Sequence, residues 1–269
     1  MKRTAILLFI LVLIFGYIVC SYHPFLKSGG IAHISIDDVT RSFQNLTKDS
    51  MKYDNLFEEP FFSYLKELHD KYGCSITCYA YEQDSFFNVK QMPVKYAKDF
   101  ESNSVWLKIG FHGVKPNAHT PRNISYSEFT KSFSRFNKEL YRFASVKNKA
   151  SILRLDFFYA TTGEVDFLVH NGVKVLLSAD DDRRSYYLPF NKNRQLIDDN
   201  SINFNNLKYL RTNIRIEKID IPYINILRNR RRDTLVIFTH EWKLNKINRY
   251  KLNRTLSILK EQNYKFIAE

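Results

Sequence analysis

The chain has 269 residues, 44% of them hydrophobic and 15% aromatic, with a formal net charge of +13. This supplies ample core for a single (β/α)-barrel-sized domain of about 250 residues and excludes wholesale disorder. The charge is either a general bias toward a basic surface or a means of attracting an anionic polymer or membrane surface; no nucleic-acid-binding motif is present, and nucleic acid is not an expected partner.

Residues 1–22 read as a signal peptide or transmembrane anchor. Lys2 and Arg3 precede an apolar stretch at 5–20, long for a signal core and slightly short of the roughly 20 residues of a span. The positive flank predicts that end inside and the main domain on the extracytoplasmic side, so the protein is expected to be membrane-anchored or secreted. A linker at 23–30, closed by Ser28-Gly29-Gly30, leads into one domain at 31–269.

A first strand is expected at 32–37 and an amphipathic helix at 61–72, introduced by Glu58, Glu59 and Pro60. Strands at 75–81 and 105–112 follow. A long helix at 125–144 opens on a capping-box pattern, Ser125 and Glu128. Next come a strand at 151–156, a short helix at 163–170 stopped by Asn171-Gly172, and a strand at 173–178. The polar stretch 180–200 reads as an insertion holding a hairpin. A strand at 207–216, a strong strand at 234–239, a helix at 245–262 and a final strand at 264–267 complete the series. This alternation predicts an α/β fold, a distorted or incomplete (β/α) barrel with mostly parallel strands. Arg228, Arg230, Arg231 and Arg232 form the densest basic cluster, just before a strand and so on the rim opposite the strand ends that follow. Cys74 and Cys78 flank a strand at about 13 Å, too far for a disulfide, and read as small buried hydrophobes.

Five apolar runs end in reactive residues: Asp37-Asp38, His112, Arg154 with Asp156, Asp180–Asp182, and His240-Glu241. The C-terminal ends of parallel strands form one rim, so these groups are expected to share a pocket. Adjacent aspartates at a strand end point in different directions, so one can ligate a metal while the other faces substrate. His112 and His119 with one carboxylate make a three-ligand site with open positions, the usual design of a catalytic divalent metal. His240 can protonate a leaving group, with Trp242 as an apolar wall, or can itself be the third ligand. Arg154 and Asp156 face one side of their strand, as site groups or as an ion pair. One of Asp180–Asp182 can orient the histidine or bind metal. His33, His69 and His170 are assigned no role.

The order of these motifs resembles the NodB-homology polysaccharide deacetylases, within the wider glycoside hydrolase/deacetylase barrel superfamily. The resemblance covers about 31–241. It implies Asp37 as catalytic base and Asp38, His112 and His119 as ligands of a divalent metal, most simply Zn2+. It also implies Arg154 as the arginine motif, Asp181 as the later acidic motif and His240 as general acid. The family's two histidines are usually four apart, against seven here, and its arginine motif often continues to Pro and Tyr, where this chain has Leu155-Asp156-Phe157. The implied activity is metal-dependent removal of acetyl groups from a polysaccharide of the cell envelope or exterior. The residues also admit a glycoside hydrolase pairing Asp37 or Asp38 with one of Asp180–Asp182 or Glu241. They admit a non-catalytic, membrane-tethered glycan-binding protein and, less well, a glycosyltransferase. Oligomeric state is not legible.

Overall fold

The computed structural model describes residues 29–117, 124–229 and 232–269. The expected anchor and most of the linker, together with His119, Arg230 and Arg231, lie outside the described residues. No helix among those described is long and apolar enough to cross a membrane.

The chain runs β1 (Gly30–Asp37), α1 (Arg41–Lys48), α2 (Pro60–Tyr72), β2 (Ile76–Tyr81), α3 (Ala97–Ser102), β3 (Leu107–Gly113) and α4 (Tyr126–Phe143). It continues β4 (Ile152–Leu153), α5 (Thr162–His170), β5 (Val175–Leu177), α6 (Phe190–Asp199), β6 (Ser201–Phe204), β7 (Leu207–Leu210) and β8 (Ile214–Arg215). It ends α7 (Pro222–Arg228), β9 (Thr234–His240), α8 (Lys246–Glu261) and β10 (Tyr264–Ile267). One sheet has the parallel order β3-β2-β1-β9-β8, with β10 beside the first half of β1. A second has the order β4-β5-β7-β6, antiparallel only at β6–β7. An isolated parallel bridge joins Ile109 of β3 to Lys149, in the segment that leads into β4. The result is an α/β fold of mostly parallel strands, an incomplete barrel, as the alternation of elements predicted.

Local chemistry explains the helices that were legible. Pro60 opens α2, the Glu59 side chain accepts from the backbone N–H groups of Phe61 and Phe62, and Gly73 closes it in the left-handed region at φ 68°. Thr161 and Glu164 form a full capping box on α5. On α4 Ser125 caps, but Glu128 pairs with Arg135 instead of closing the box. The aromatic residues fill the layer between sheet and helices, where Phe111 meets Phe129, Phe133 and Phe136 edge-on. Gly110 leaves room for Tyr79, whose ring atoms would lie 2.7 Å from an added Cβ. Cys74 and Cys78 are buried and unpaired with each other, as their spacing required.

Two expectations are corrected. Residues 180–200 hold helix α6, with Pro189 before it and Asn200 ending it at φ 69°. The hairpin lies just beyond, β6 to β7, turning on Asn205 and Asn206 at φ 50° and 60°, the conformation of a tight hairpin loop. The expected strand at 207–216 is two strands, because β7 joins the second sheet and β8 the first.

Candidate active site

Five elements of the first sheet and the adjoining strand β4 deliver side chains to one cavity of about 610 Å³. Its wall includes Asp37, Asp38, Tyr81, His112, Arg154, Asp156, Arg215, Phe238, His240 and Trp242. This is an ordinary size for a ligand pocket.

Asp37 ends β1 and is 2% exposed. Arg154, 1% exposed, donates from one terminal nitrogen to both Asp37 oxygens, at 3.1 and 3.3 Å, and to Ser35 Oγ at 2.7 Å. Its other terminal nitrogen donates to Thr212 Oγ1 at 3.1 Å. The guanidinium lies 4.1 Å over the Phe238 ring. Arg154 therefore pairs with Asp37, which corrects the expected alternative of an Arg154–Asp156 ion pair.

Asp38 has φ 60°, a left-handed conformation that aspartate tolerates better than most residues. That turn sends its carboxylate away from Asp37. Oδ2 accepts from the Trp242 indole at 2.8 Å, and Oδ1 lies 3.4 Å from His112 Nε2. Burial disfavours the Asp38 anion, but hydrogen bonding and charge from His112, with Trp242, outweigh it and hold the carboxyl well below the usual range.

His112 sits at a β-bulge: Ala80 pairs with Phe111 and Tyr81 with Gly113, which leaves His112 as the extra residue. Bulges re-aim side chains beside active sites. Its Nδ1 donates to the Arg154 carbonyl at 2.6 Å. A carbonyl only accepts, so Nδ1 carries a proton and Nε2 faces Asp38. A neutral imidazole would then aim a lone pair at a carboxylate oxygen, an arrangement that calls for a cation between them. Without a metal, a proton takes that place: burial opposes protonation, but Asp38, Asp37 and Asp156 raise the His112 pKa to about 9. A histidine anchored through Nδ1 to a backbone carbonyl, with Nε2 beside a carboxylate, is the donor chemistry of a divalent-metal site. Asp38 and His112 fit such an ion; no group of three such side chains is arranged to hold one among the described residues, and His119 is outside them.

His240 ends β9 directly opposite Asp37 in the register of β1 and β9. Its Nδ1 donates to Glu217 Oε1 at 2.6 Å, and its backbone N–H donates to the same oxygen at 3.0 Å. The ring is thereby held at the cavity wall, with no hydrogen bond to Nε2 among the described residues. Burial raises the Glu217 carboxyl, but the hydrogen bonds from His240 and the backbone prevail and bring it below its ordinary value.

Glu217, not Asp181, orients the histidine. Asp181 is held by Arg183 at 2.6 and 2.7 Å, Asp180 by Lys218 at 2.7 Å and Asp182 by Arg211 at 3.0 Å. None of the three lines the cavity. A signal for Glu217 existed: Ile214-Arg215-Ile216-Glu217 alternates like a strand and ends in a carboxylate, the same pattern as the other strand ends.

Glu241 is committed elsewhere too. Its carboxylate accepts from the backbone N–H groups of Thr40, Arg41 and Ser42 at 3.1, 3.0 and 2.8 Å and from the Ser42 hydroxyl. It thus caps α1, whose own N-cap Thr40 makes no side-chain bond. This clamp ties the loop bearing Asp38 to the end of β9 that bears His240.

Asp156 accepts from the Asn117 backbone N–H at 3.2 Å. The Tyr81 hydroxyl stands within hydrogen-bond reach of Asp156 and Asp38. Burial pushes the Asp156 carboxyl up. Beside it Phe157, 46% exposed, and Phe158 both have positive φ, at 52° and 55°. Strain of this kind, about 1–2 kcal/mol per residue, gathers at functional sites. His33 lies inside the barrel, its Nδ1 bonded to the Ile267 carbonyl; burial lowers its pKa to about 3, so it is neutral and structural.

No family model and no curated protein matches the chain. Similar solved structures include a family 4 carbohydrate esterase from Streptomyces lividans in complex with acetate, at 10% identity and a TM-score of 0.45, covering 88% of this chain and 91% of that one. They also include the catalytic domain of a peptidoglycan N-acetylglucosamine deacetylase from Eubacterium rectale, at 14% identity and a TM-score of 0.43, covering 89% and 88%.

Proposed function

We propose that this chain is a metal-dependent hydrolase that removes acetyl groups from a polysaccharide on the extracytoplasmic side, where its N-terminal segment anchors or exports it. One observation carries the reading. Asp37, Asp38, His112, Arg154 and His240 converge on one cavity, with His112 Nε2 and Asp38 Oδ1 set to share a cation.

Asp38 and His112 would hold the ion, with His119 as the expected third ligand and zinc as the simplest metal. A divalent ion there supplies Lewis-acid polarisation of the acetyl carbonyl. Asp37 takes a proton from the attacking water while Arg154 holds its carboxylate in position. His240 gives a proton from Nε2 to the departing nitrogen or oxygen, and Glu217 steadies the charged ring. Trp242 and Phe157 offer faces against which a sugar ring can stack. The two-carboxylate glycosidase reading loses its proposed partners, since Asp180–Asp182 and Glu241 are engaged elsewhere.

The test is acetate release from an N-acetylated or O-acetylated glucosamine oligomer by the full chain, before and after chelation. Release of sugar, or acetate release indifferent to chelator, defeats the reading. Glu217→Gln is expected to slow acetamide cleavage about 10–100-fold. It should leave an activated aryl acetate nearly untouched, because that leaving group departs without a proton. Equal losses on both substrates would remove Glu217 from acid catalysis.

Metal uptake has a predictable pH dependence. In the metal-free protein His112 is raised to about 9, so below that pH the ion must displace its proton. Affinity should climb about tenfold per pH unit between roughly 7 and 9 and then flatten. Calorimetry in buffers of different ionisation enthalpy should register close to one proton released at pH 7, and His112→Ala should abolish that release together with tight binding. The proton-linked stability of the metal-free fold has the opposite sign: it is fully present below about 6.5 and is lost as pH rises through about 9.

A further inference from the structure

Arg215 is a cation in the cavity wall that the mechanism does not use. It ends β8 opposite Phe238 in the register of β8 and β9, and its guanidinium lies 5.3 Å over that ring. Among the described residues of the wall, Arg154 and Arg183 are hydrogen-bonded to the carboxylates of Asp37 and Asp181, whereas Arg215 has only a longer charge contact with Glu217. Arg215 makes no hydrogen bond among the described residues. The nearest carboxylate oxygen, Glu217 Oε2, stands 3.7 Å from its Nε, and Glu217 gives its other oxygen to His240. The Nε is buried with no hydrogen-bond partner among the described residues. Leaving such donors unmet costs free energy that a ligand anion would recover. A guanidinium presents a planar fork that matches a carboxylate or phosphate in bidentate fashion. The net charge of +13 would draw an anionic polymer toward this opening.

We infer that Arg215 binds an oxyanion substituent of the glycan, a carboxylate or phosphate on or beside the acetylated sugar, so that the substrate is an anionic polysaccharide. This rests on the reading of the cavity as a glycan site. Titration calorimetry with the zinc-loaded full chain tests it, using hyaluronan tetrasaccharide as the carboxylate probe, N-acetylglucosamine 6-phosphate as the phosphate probe and neutral chitotetraose as reference. The wild type should bind at least one acidic probe about tenfold tighter than chitotetraose, and the preferred probe identifies the anion. The preference should shrink with added salt, vanish in Arg215→Gln and survive in part in Arg215→Lys. Should Arg215→Gln fail to fold, Arg215→Leu removes the charge while keeping an apolar side chain against Phe238. A wild type without charge preference, or a charge-neutral variant that keeps it, overturns the assignment. Acetate release is scored separately: charge preference without any release defeats the deacetylase reading and leaves Arg215 as an anion site.

Discussion

Arg154→Ala is expected to cost about 3–5 kcal/mol of stability and to bring turnover to background. The side chain is 1% exposed and bonds Asp37, Ser35 and Thr212 while lying on Phe238. Its removal leaves the Asp37 carboxylate buried without its counter-charge and opens a cavity under the sheet. Urea denaturation should show a lower midpoint with an unchanged slope. The double variant Asp37→Ala with Arg154→Met should lose less stability than Arg154→Ala alone, because the stranded charge is gone. If the double variant is the less stable of the two, the loss comes from packing and not from the unpaired carboxylate.

Asp37→Asn is expected to lower acetate release roughly 10³-fold while metal content stays at the wild-type level. The amide oxygen can still accept from Arg154, so the fold should survive with a loss of about 1–3 kcal/mol. Metal content should hold because Asp38, turned away by its positive φ, is the residue beside His112. Titration calorimetry with zinc and an acetate assay on the same preparation separate the two effects. Full activity in Asp37→Asn would remove the base from the mechanism; loss of metal would make Asp37 a ligand and reverse the roles of the two aspartates.

Much of this site was legible because strand ends announce themselves locally. An apolar run that stops at a carboxylate or histidine needs no knowledge of the rest of the chain, so Asp37-Asp38, His112, Arg154 and His240 could be singled out together. Helix starts at Glu59-Pro60 and Ser125 are equally local, since each is a cap satisfying its own first turn. The hairpin was misplaced even though Asn205-Asn206, a tight-turn pair, stood in plain view.

Choice among similar charges was another matter. Asp181 and Glu217 are both carboxylates within reach of a strand end, and only the fold decides that Arg183 takes the first and His240 the second. Glu241 follows His240 as a catalytic carboxylate might, yet it caps a helix some 200 residues earlier in the chain. The break between β7 and β8 likewise follows from two sheets parting, which hydrophobic period does not record. The sequence by itself determined the alternation of strands and helices and the reactive residues at strand ends, because both are short-range consequences of side-chain pattern and polarity. Only the tertiary structure decided which charges meet, that a bulge aims His112 at Asp38, and that Arg215 stands over Phe238 in the cavity wall without a hydrogen bond among the described residues. Ion pairs form by proximity in space, and proximity between distant strands is set by sheet order and register.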